Sequence, residues 1–396
     1  MAYWIVTSNI RKGIFMAAKI KKKPLKFINY KAYLLIIILL VLAVSGLNVM
    51  FRISPVFSNT YATTIYPHIA KLAGALMSVF PFSVIEVLCY GAVILFIYSI
   101  ARLIVTLIRN RAFFGYRLKR FLLNLACIIL VCLLIFTLND FVLYNRLSFA
   151  DCAYIMVDSH SKDELAALYK ILAGDANDYS GKVNRDSNGI FNIDDVDVDK
   201  ISTESMRNLS KDYPFMPSYY PAAKPVFSSK IMTYTFTEGF FSPITMEANY
   251  NKDMPDIDIP HTICHELSHL GGFIHEDEAN FIGYLACMKS GDASFCYSGT
   301  ISVLTYVMNS MYDSYEKEDY YNYIEMLDES VINDISNESA YWRQHETVVA
   351  DISNAYNDAY IKFNGDEEGE MRYQMVVELL LEYYEKDIED MLSNVS

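Results

Sequence analysis

Acidic side chains are almost missing from the first 140 residues, where Glu86 and Asp140 stand alone against 16 Lys and Arg. The balance inverts in residues 141 to 396, which carry 45 acids against 17 bases. A basic and otherwise apolar segment suits a membrane, whereas the acidic, Tyr-rich remainder suits water. So acidic a domain argues against nucleic acid as a partner, because phosphate binding needs a basic face. Internal repeats and low-complexity tracts are also lacking, which argues against a repeat architecture. No small-x-small cleavage site follows the first apolar run, so the leader reads as a retained anchor rather than a removed signal peptide. Residues 1 to 15 are weakly patterned, and Met16 is an alternative start.

Cysteine is sparse, at seven residues. Cys89, Cys127 and Cys132 fall in apolar runs, where they read as small packing side chains. Cys287 and Cys296 close a short loop and are the expected pair if a disulfide forms. Cys264 has no accompanying pattern of a catalytic thiol.

Three stretches are long and apolar enough to cross a bilayer, which takes roughly 20 residues: Ala32 to Val49, Ser83 to Ile108 and Phe121 to Leu138. Lys and Arg crowd the leader (Arg11, Lys12, Lys19, Lys21, Lys22, Lys23, Lys26, Lys31) and the second loop (Arg109, Arg111, Arg117, Lys119, Arg120), but only Arg52 and Lys71 occupy the first loop. By the positive-inside rule the leader and second loop are cytoplasmic and everything after the third span is outside. The expected organisation is a cytoplasmic basic leader (1–31), a three-helix transmembrane region (32–140) and an extracytoplasmic domain (141–396). Glu86, near the outer end of span two, reads as a solvated interfacial carboxylate.

Within the outer domain, Ser161 with Glu164 forms a capping-box pattern before Leu165, Leu168, Ile171 and Leu172, so a helix starts near Asp163. Residues 174 to 200 read as loop. Lys230 to Phe241 alternates in strand fashion, interrupted by Gly239 and Pro243, and Met246 to Tyr250 is another extended piece. From Cys296 onward the pattern is helical: Ile301 to Met311, Tyr315 to Leu327, Ser339 to Phe363 and Met371 to Leu392. The fold class is therefore α+β: three N-terminal transmembrane helices, then a mostly helical domain with a small sheet.

Residues 265 to 269 read His-Glu-Leu-Ser-His, the HExxH arrangement of zinc hydrolases. Two histidines four apart share one helix face, so His265 and His269 can bind one Zn²⁺, and Glu266 between them can reach its water. A catalytic zinc takes three protein ligands and leaves a position for water. Three candidates for the third follow: His275, Glu276 and Glu278. His275 completes the HExxHxxGxxH spacing of metzincins, although no convincing Met-turn accompanies it. Glu276 opens Glu-x-x-Ala-Asn, similar to an element of gluzincin peptidases. It shares one helix face with Ala279, Asn280 and Gly283, a stripe small enough to pack closely on the HELSH helix.

The order of three spans, Phe241-Ser-Pro-Ile-Thr-Met-Glu-Ala-Asn249, HELSH, Gly272-Phe273, Glu276-Asp-Glu-Ala-Asn-Phe281 and Tyr284-Leu-Ala-Cys287 resembles an uncharacterised bacterial family of membrane-anchored HExxH proteins, catalogued as a domain of unknown function. The similarity extends to Ala359-Tyr360, Arg372-Tyr373 and Val376 to Leu380. It implies a zincin-like, gluzincin-type fold and a peptidase activity, and it favours Glu276 as third ligand, since the family's shared motif falls there.

The expected chemistry is hydrolysis of peptide bonds in extracytoplasmic polypeptides. Zinc lowers the pKa of its water towards about 7, and Glu266 acts as general base. Tyr373, with Tyr360 and His345 behind it, is the candidate to stabilise the tetrahedral intermediate. Met246 to Tyr250 is a candidate edge strand for an extended substrate, with Glu247 and Asn249 as possible contacts to its termini. The competing readings are a non-catalytic zinc-binding sensor or assembly module and a hydrolase of cell-wall peptides.

Overall fold

The computed structural model describes residues 29–156, 160–353, 355 and 372–393. It is mostly helical, with one three-stranded sheet and three helices apolar enough to cross a membrane. Those three are α1 (Tyr30–Ile53), α4 (Val84–Arg109) and α5 (Arg111–Phe136). Their apolar side chains point outward, as Leu42, Ile94, Leu95 and Ile128 illustrate. A water-soluble helix could not leave such a surface uncovered, whereas lipid covers it without cost.

The basic stretch 109–120, expected as a loop, is mostly the first turns of α5, and Asn110 alone separates it from α4. The third apolar helix continues through a π-type turn (Thr137–Phe141) and a 3₁₀ turn (Leu143–Asn145) before its chain enters the globular part.

The connection between spans one and two is not a simple loop. It forms α2 (Pro55–Thr64) and α3 (Tyr66–Met77), whose Tyr61, Ala62, Tyr66 and Ala70 are buried in the same core as the large domain. Gly74 makes this packing close, since a Cβ there would come within 3.3 Å of Pro221 and 3.6 Å of Tyr219. Residues assigned from the sequence to the membrane region thus complete the globular core.

After span three come α6 (Phe149–Ala153), α7 (Lys162–Ser180) and α8 (Val198–Asp212). The capping box opens α7 as the pattern predicts: Glu164 N–H donates to Ser161 Oγ (3.2 Å) and Ser161 N–H donates to Glu164 Oε2 (2.6 Å). The helix runs to Ser180, so the expected loop at 174 begins late. Ala176, buried in the core, holds that last turn.

The sheet comprises β1 (Lys224–Pro225), β2 (Gly239–Ser242) and β3 (Glu247–Tyr250), in the order β1-β3-β2. β3 pairs parallel with β1 and antiparallel with β2. The strand expected from Lys230 is instead the short helix α9 (Ser229–Tyr234). There Thr233 and Thr235 return their hydroxyls to helical carbonyls, which offsets their strand preference. Extended backbone resumes only at Gly239.

The later helices among the described residues include α10 (Ile259–Leu270), α11 (Glu276–Ser290), α12 (Ala293–Ser314), α13 (Lys317–Ile324), α14 (Glu329–Gln344), α15 (Arg372–Tyr383) and α16 (Glu385–Ser393). α10 is held between α11 and the sheet, and its buried face of Ile263, Cys264, Leu267 and Leu270 lies at the centre of the core. The expected Cys287–Cys296 disulfide is not formed. Both are buried thiols, and Cys296 Sγ donates to the Cys287 carbonyl at 3.5 Å.

Domain and spans are joined by polar contacts in both directions. The Glu247 carboxylate accepts the first free N–H groups of α4, from Val84 (3.0 Å) and Ile85 (2.9 Å), and pairs with buried Lys224 at 2.6 Å. These are the unsatisfied donors every helix start exposes, and a carboxylate is their best partner. In return Glu86 accepts from the backbone N–H groups of Phe227 (2.7 Å) and Ser228 (2.8 Å). Glu86 is therefore buried and structural, not a solvated interfacial carboxylate. Replacing Glu247 by Leu strands the Lys224 ammonium and should cost about 3–5 kcal/mol. Thermal unfolding of the full chain in detergent should show the loss, and the double variant Glu247→Leu/Lys224→Met should recover much of it.

Candidate metal centre

α10 carries His265, Glu266 and His269 because its hydrophobic positions face the core and leave these three on the side turned towards α11 and β2. Gly271 and Gly272 then end the helix. Gly272 has φ of 94°, a conformation that favours glycine, and a Cβ there would lie 3.0 Å from Arg146 and 3.3 Å from Tyr66. The turn delivers Glu276 to the start of the next helix, facing back on the two histidines. Glu276 Oε2 lies 3.2 Å from His265 Nε2 and 3.8 Å from His269 Nε2, and the donor atoms of the three residues all fall within 4.8 Å of one another.

The small-residue stripe brings α11 this close. Ala279 is fully buried, and a Cβ on Gly283 would meet the backbone of His265 at 3.2 Å and His261 Nε2 at 3.1 Å. Asn280, one turn after Glu276, places its side-chain carbonyl 2.9 Å from His265 Nδ1, and the Phe273 carbonyl lies 2.8 Å from His269 Nδ1. A carbonyl oxygen can only accept, so both Nδ1 atoms carry a proton, and each Nε2 is turned towards the Glu276 carboxylate. That is the arrangement metal-binding histidines use.

Electrostatics favour a cation at the same point. Burial works against the charged form of His265, yet hydrogen bonding and charge from Glu276, with Glu266 behind, lift it to about 9. His269, buried and facing that charge, falls to about 4. The three donors thus demand one positive charge between them. Two imidazole nitrogens and a carboxylate oxygen are a zinc donor set, and donors around a tetrahedral zinc lie about 3.4 Å apart. The residues present therefore fit Zn²⁺.

Glu266 is 4% exposed, and its Oε2 is buried without a hydrogen-bond partner. Burial pushes its pKa up to about 8, against the attraction of His265 and with repulsion from Glu276 and Glu238. Gly239, at the start of β2, lies directly on it: a Cβ there would approach Glu266 Oε1 to 2.5 Å. By pattern alone Gly239 is an interruption of a strand. An isolated glycine in a strand also signals close backbone approach, and that was the available clue.

The other two candidate ligands point elsewhere. His275 sits at the cap of α11 with its ring edge-on to Tyr144 at 5.4 Å. Glu278 is buried on the opposite side, where Oε1 accepts the Phe149 N–H at 2.6 Å, anchoring the chain as it leaves span three. Burial raises Glu278 to about 7, partly offset by His275. His261, one turn before His265 and not singled out from sequence, contacts the Asn280 backbone carbonyl through Nε2 (3.1 Å) and Ser302 through Nδ1 (3.1 Å). It fixes the residue that orients His265.

Of the remaining predicted residues, the side chain of Tyr373 and all of Tyr360 lie outside the described residues. His345 ends α14 with Nδ1 on the Tyr341 carbonyl (2.8 Å) and its ring between Tyr234 and Tyr341, a structural setting. Met246–Tyr250 is not an edge: β3 is the central strand, and β2 holds the edge beside Glu266. Glu247 is spent on α4, and Asn249 Nδ2 donates within the sheet, to Glu247 O at 3.1 Å.

Metal analysis of the purified full chain should find about one zinc per molecule, lost in His265→Ala and Glu276→Ala and kept in His275→Ala. The full chain is the right material because residues 51–77 belong to the core. Zinc kept in Glu276→Ala but lost in His275→Ala would overturn this ligand set.

Comparison with curated proteins and with solved structures returns no match. A model of the family described as a protein of unknown function, DUF3810, matches residues 61–381, and the chain belongs to that family.

Proposed function

We propose that this protein is a membrane-anchored zinc peptidase of the gluzincin type, with His265, His269 and Glu276 as ligands and Glu266 as general base. The observation that carries the reading is the buried Glu266 carboxylate, whose Oε2 has no hydrogen-bond partner, beside a His-His-Glu triad whose donor atoms converge within 4.8 Å. A structural metal has no use for such a group, because a buried carboxylate without a partner costs stability.

Zinc held by His265, His269 and Glu276 would lower the pKa of a bound water to about 7 and would polarise the scissile carbonyl. Glu266 takes the proton of the attacking water and returns it to the departing amine, so the peptide bond breaks and no group remains on the protein. The substrate backbone pairs with β2, whose outer edge beside Glu266 is unpaired among the described residues, not with β3.

The extracytoplasmic side follows from charge. Arg109, Arg111, Arg117, Lys119 and Arg120 gather where α4 ends and α5 begins, opposite the ends that join the domain. Positive residues stay in the cytoplasm, which leaves the domain outside.

Glu266→Gln should keep its zinc and lose peptide cleavage by about 10²-fold or more, read with a fluorogenic peptide library. Gly239→Ala should retain zinc and the fold while lowering cleavage, because its methyl group displaces the Glu266 carboxylate. A zinc-loaded wild-type chain that cleaves no member of the library would sink the proposal.

A further inference from the structure

The β2–β3 hairpin is fixed with its turn against the domain-side ends of spans two and three and its open end at the candidate metal centre. At the turn, the Pro243 carbonyl accepts from Asn139 at the end of span three (2.8 Å), and Glu247 caps the start of span two. At the other end, Gly239 lies against Glu266. Four residues of strand separate these points, about 13 Å at roughly 3.3 Å per residue.

The outer edge of that strand is unpaired among the described residues. Asn251 N–H donates to the Glu238 carbonyl (2.7 Å), which sets the ladder phase: residues 238, 240 and 242 turn their backbone groups towards β3. Gly239 and Phe241 therefore turn their N–H and C=O groups away from the sheet, beside the metal centre. The unpaired edge runs from the domain-side ends of spans two and three to the Glu266 carboxylate.

The surface around the hairpin foot is apolar. Phe80, Phe82 and Phe227 form a chain of ring contacts (5.8 and 6.4 Å) that carries the lipid-facing surface of the spans onto the domain. Phe227 is 66% exposed although its N–H is bonded to Glu86 in the first turn of span two, and Ile231 beyond it is 65% exposed. A patch continuous with lipid-facing helices and at their level is covered by the interfacial layer of the same bilayer.

We infer that the substrates are membrane-anchored polypeptides, cut in the extended stretch just after it leaves the bilayer, with that stretch laid along β2. This rests on the peptidase reading. A segment emerging beside the foot of the hairpin reaches the metal centre in roughly four extended residues, whereas a soluble chain receives no such guidance.

Two measurements test it on the full chain. In nanodiscs whose lipids carry bromine on the acyl chains, Ile231→Trp should lose most of its added fluorescence while Tyr312→Trp, exposed on α12, keeps it. Equal behaviour at the two positions would overturn the membrane seat whether or not the protein is an enzyme. In membranes of cells producing the wild type or Glu266→Gln, new protein N-termini should appear only with the wild type and lie within roughly ten residues of a transmembrane segment on the domain side. New termini mainly in soluble proteins would overturn the inference and leave the peptidase reading intact. No new termini at all would overturn both.

Discussion

The close approach of α10 and α11 is the constraint on which the site depends. Glu276 can meet His265 and His269 only because Ala279 and Gly283 let the two helices nearly touch, with Gly283 against the His265 backbone. The same contact sets Asn280 on His265 Nδ1, so ligand spacing and ligand tautomer come from one packing event. A larger side chain at 283 would separate the helices and misplace both. Helix packing is stiff, and an error of an ångström here exceeds what a tetrahedral site tolerates.

Around that contact the protein uses buried polar groups as joints between membrane and domain. Glu247 holds the start of α4, Glu86 holds the chain at Phe227 and Ser228, and Arg146 donates to the Gly272 carbonyl (3.0 Å) with its guanidinium over the Phe273 ring. Tyr66, in the connection between spans one and two, donates to the Leu270 carbonyl (3.0 Å). The last two contacts satisfy carbonyls at the end of the HELSH helix, where no intrahelical donor is available. The segments that join the spans to each other and to the domain are thus part of the scaffold that ends the HELSH helix.

The electrostatics of the site divide its carboxylates by environment. Glu276, partly exposed and facing His265, can serve a cation, whereas Glu266 is enclosed with its Oε2 left without a donor. Glu278, only two positions from Glu276, turns to the far side of the helix and becomes a chain anchor. Glu276 and Glu278 therefore have different roles because one helix sends nearby side chains in different directions, while Glu266 is enclosed on the neighbouring helix.

What the sequence alone determined was local or periodic. The HELSH pair, the 276-279-280-283 stripe, the α7 capping box and the three apolar runs each depend on side chains a few positions apart on one helix, and the structure places them as read. What it could not determine was which segments meet. Residues 51–77 enter the core, β3 lies inside the sheet while β2 takes the edge, Lys230–Tyr234 folds as a helix, and Glu86 and Glu247 join elements distant in sequence. A short amphipathic stretch fits a surface, a core or a membrane face equally well by pattern. Only the tertiary arrangement, by deciding which donors and which apolar surfaces are left to satisfy, makes the choice.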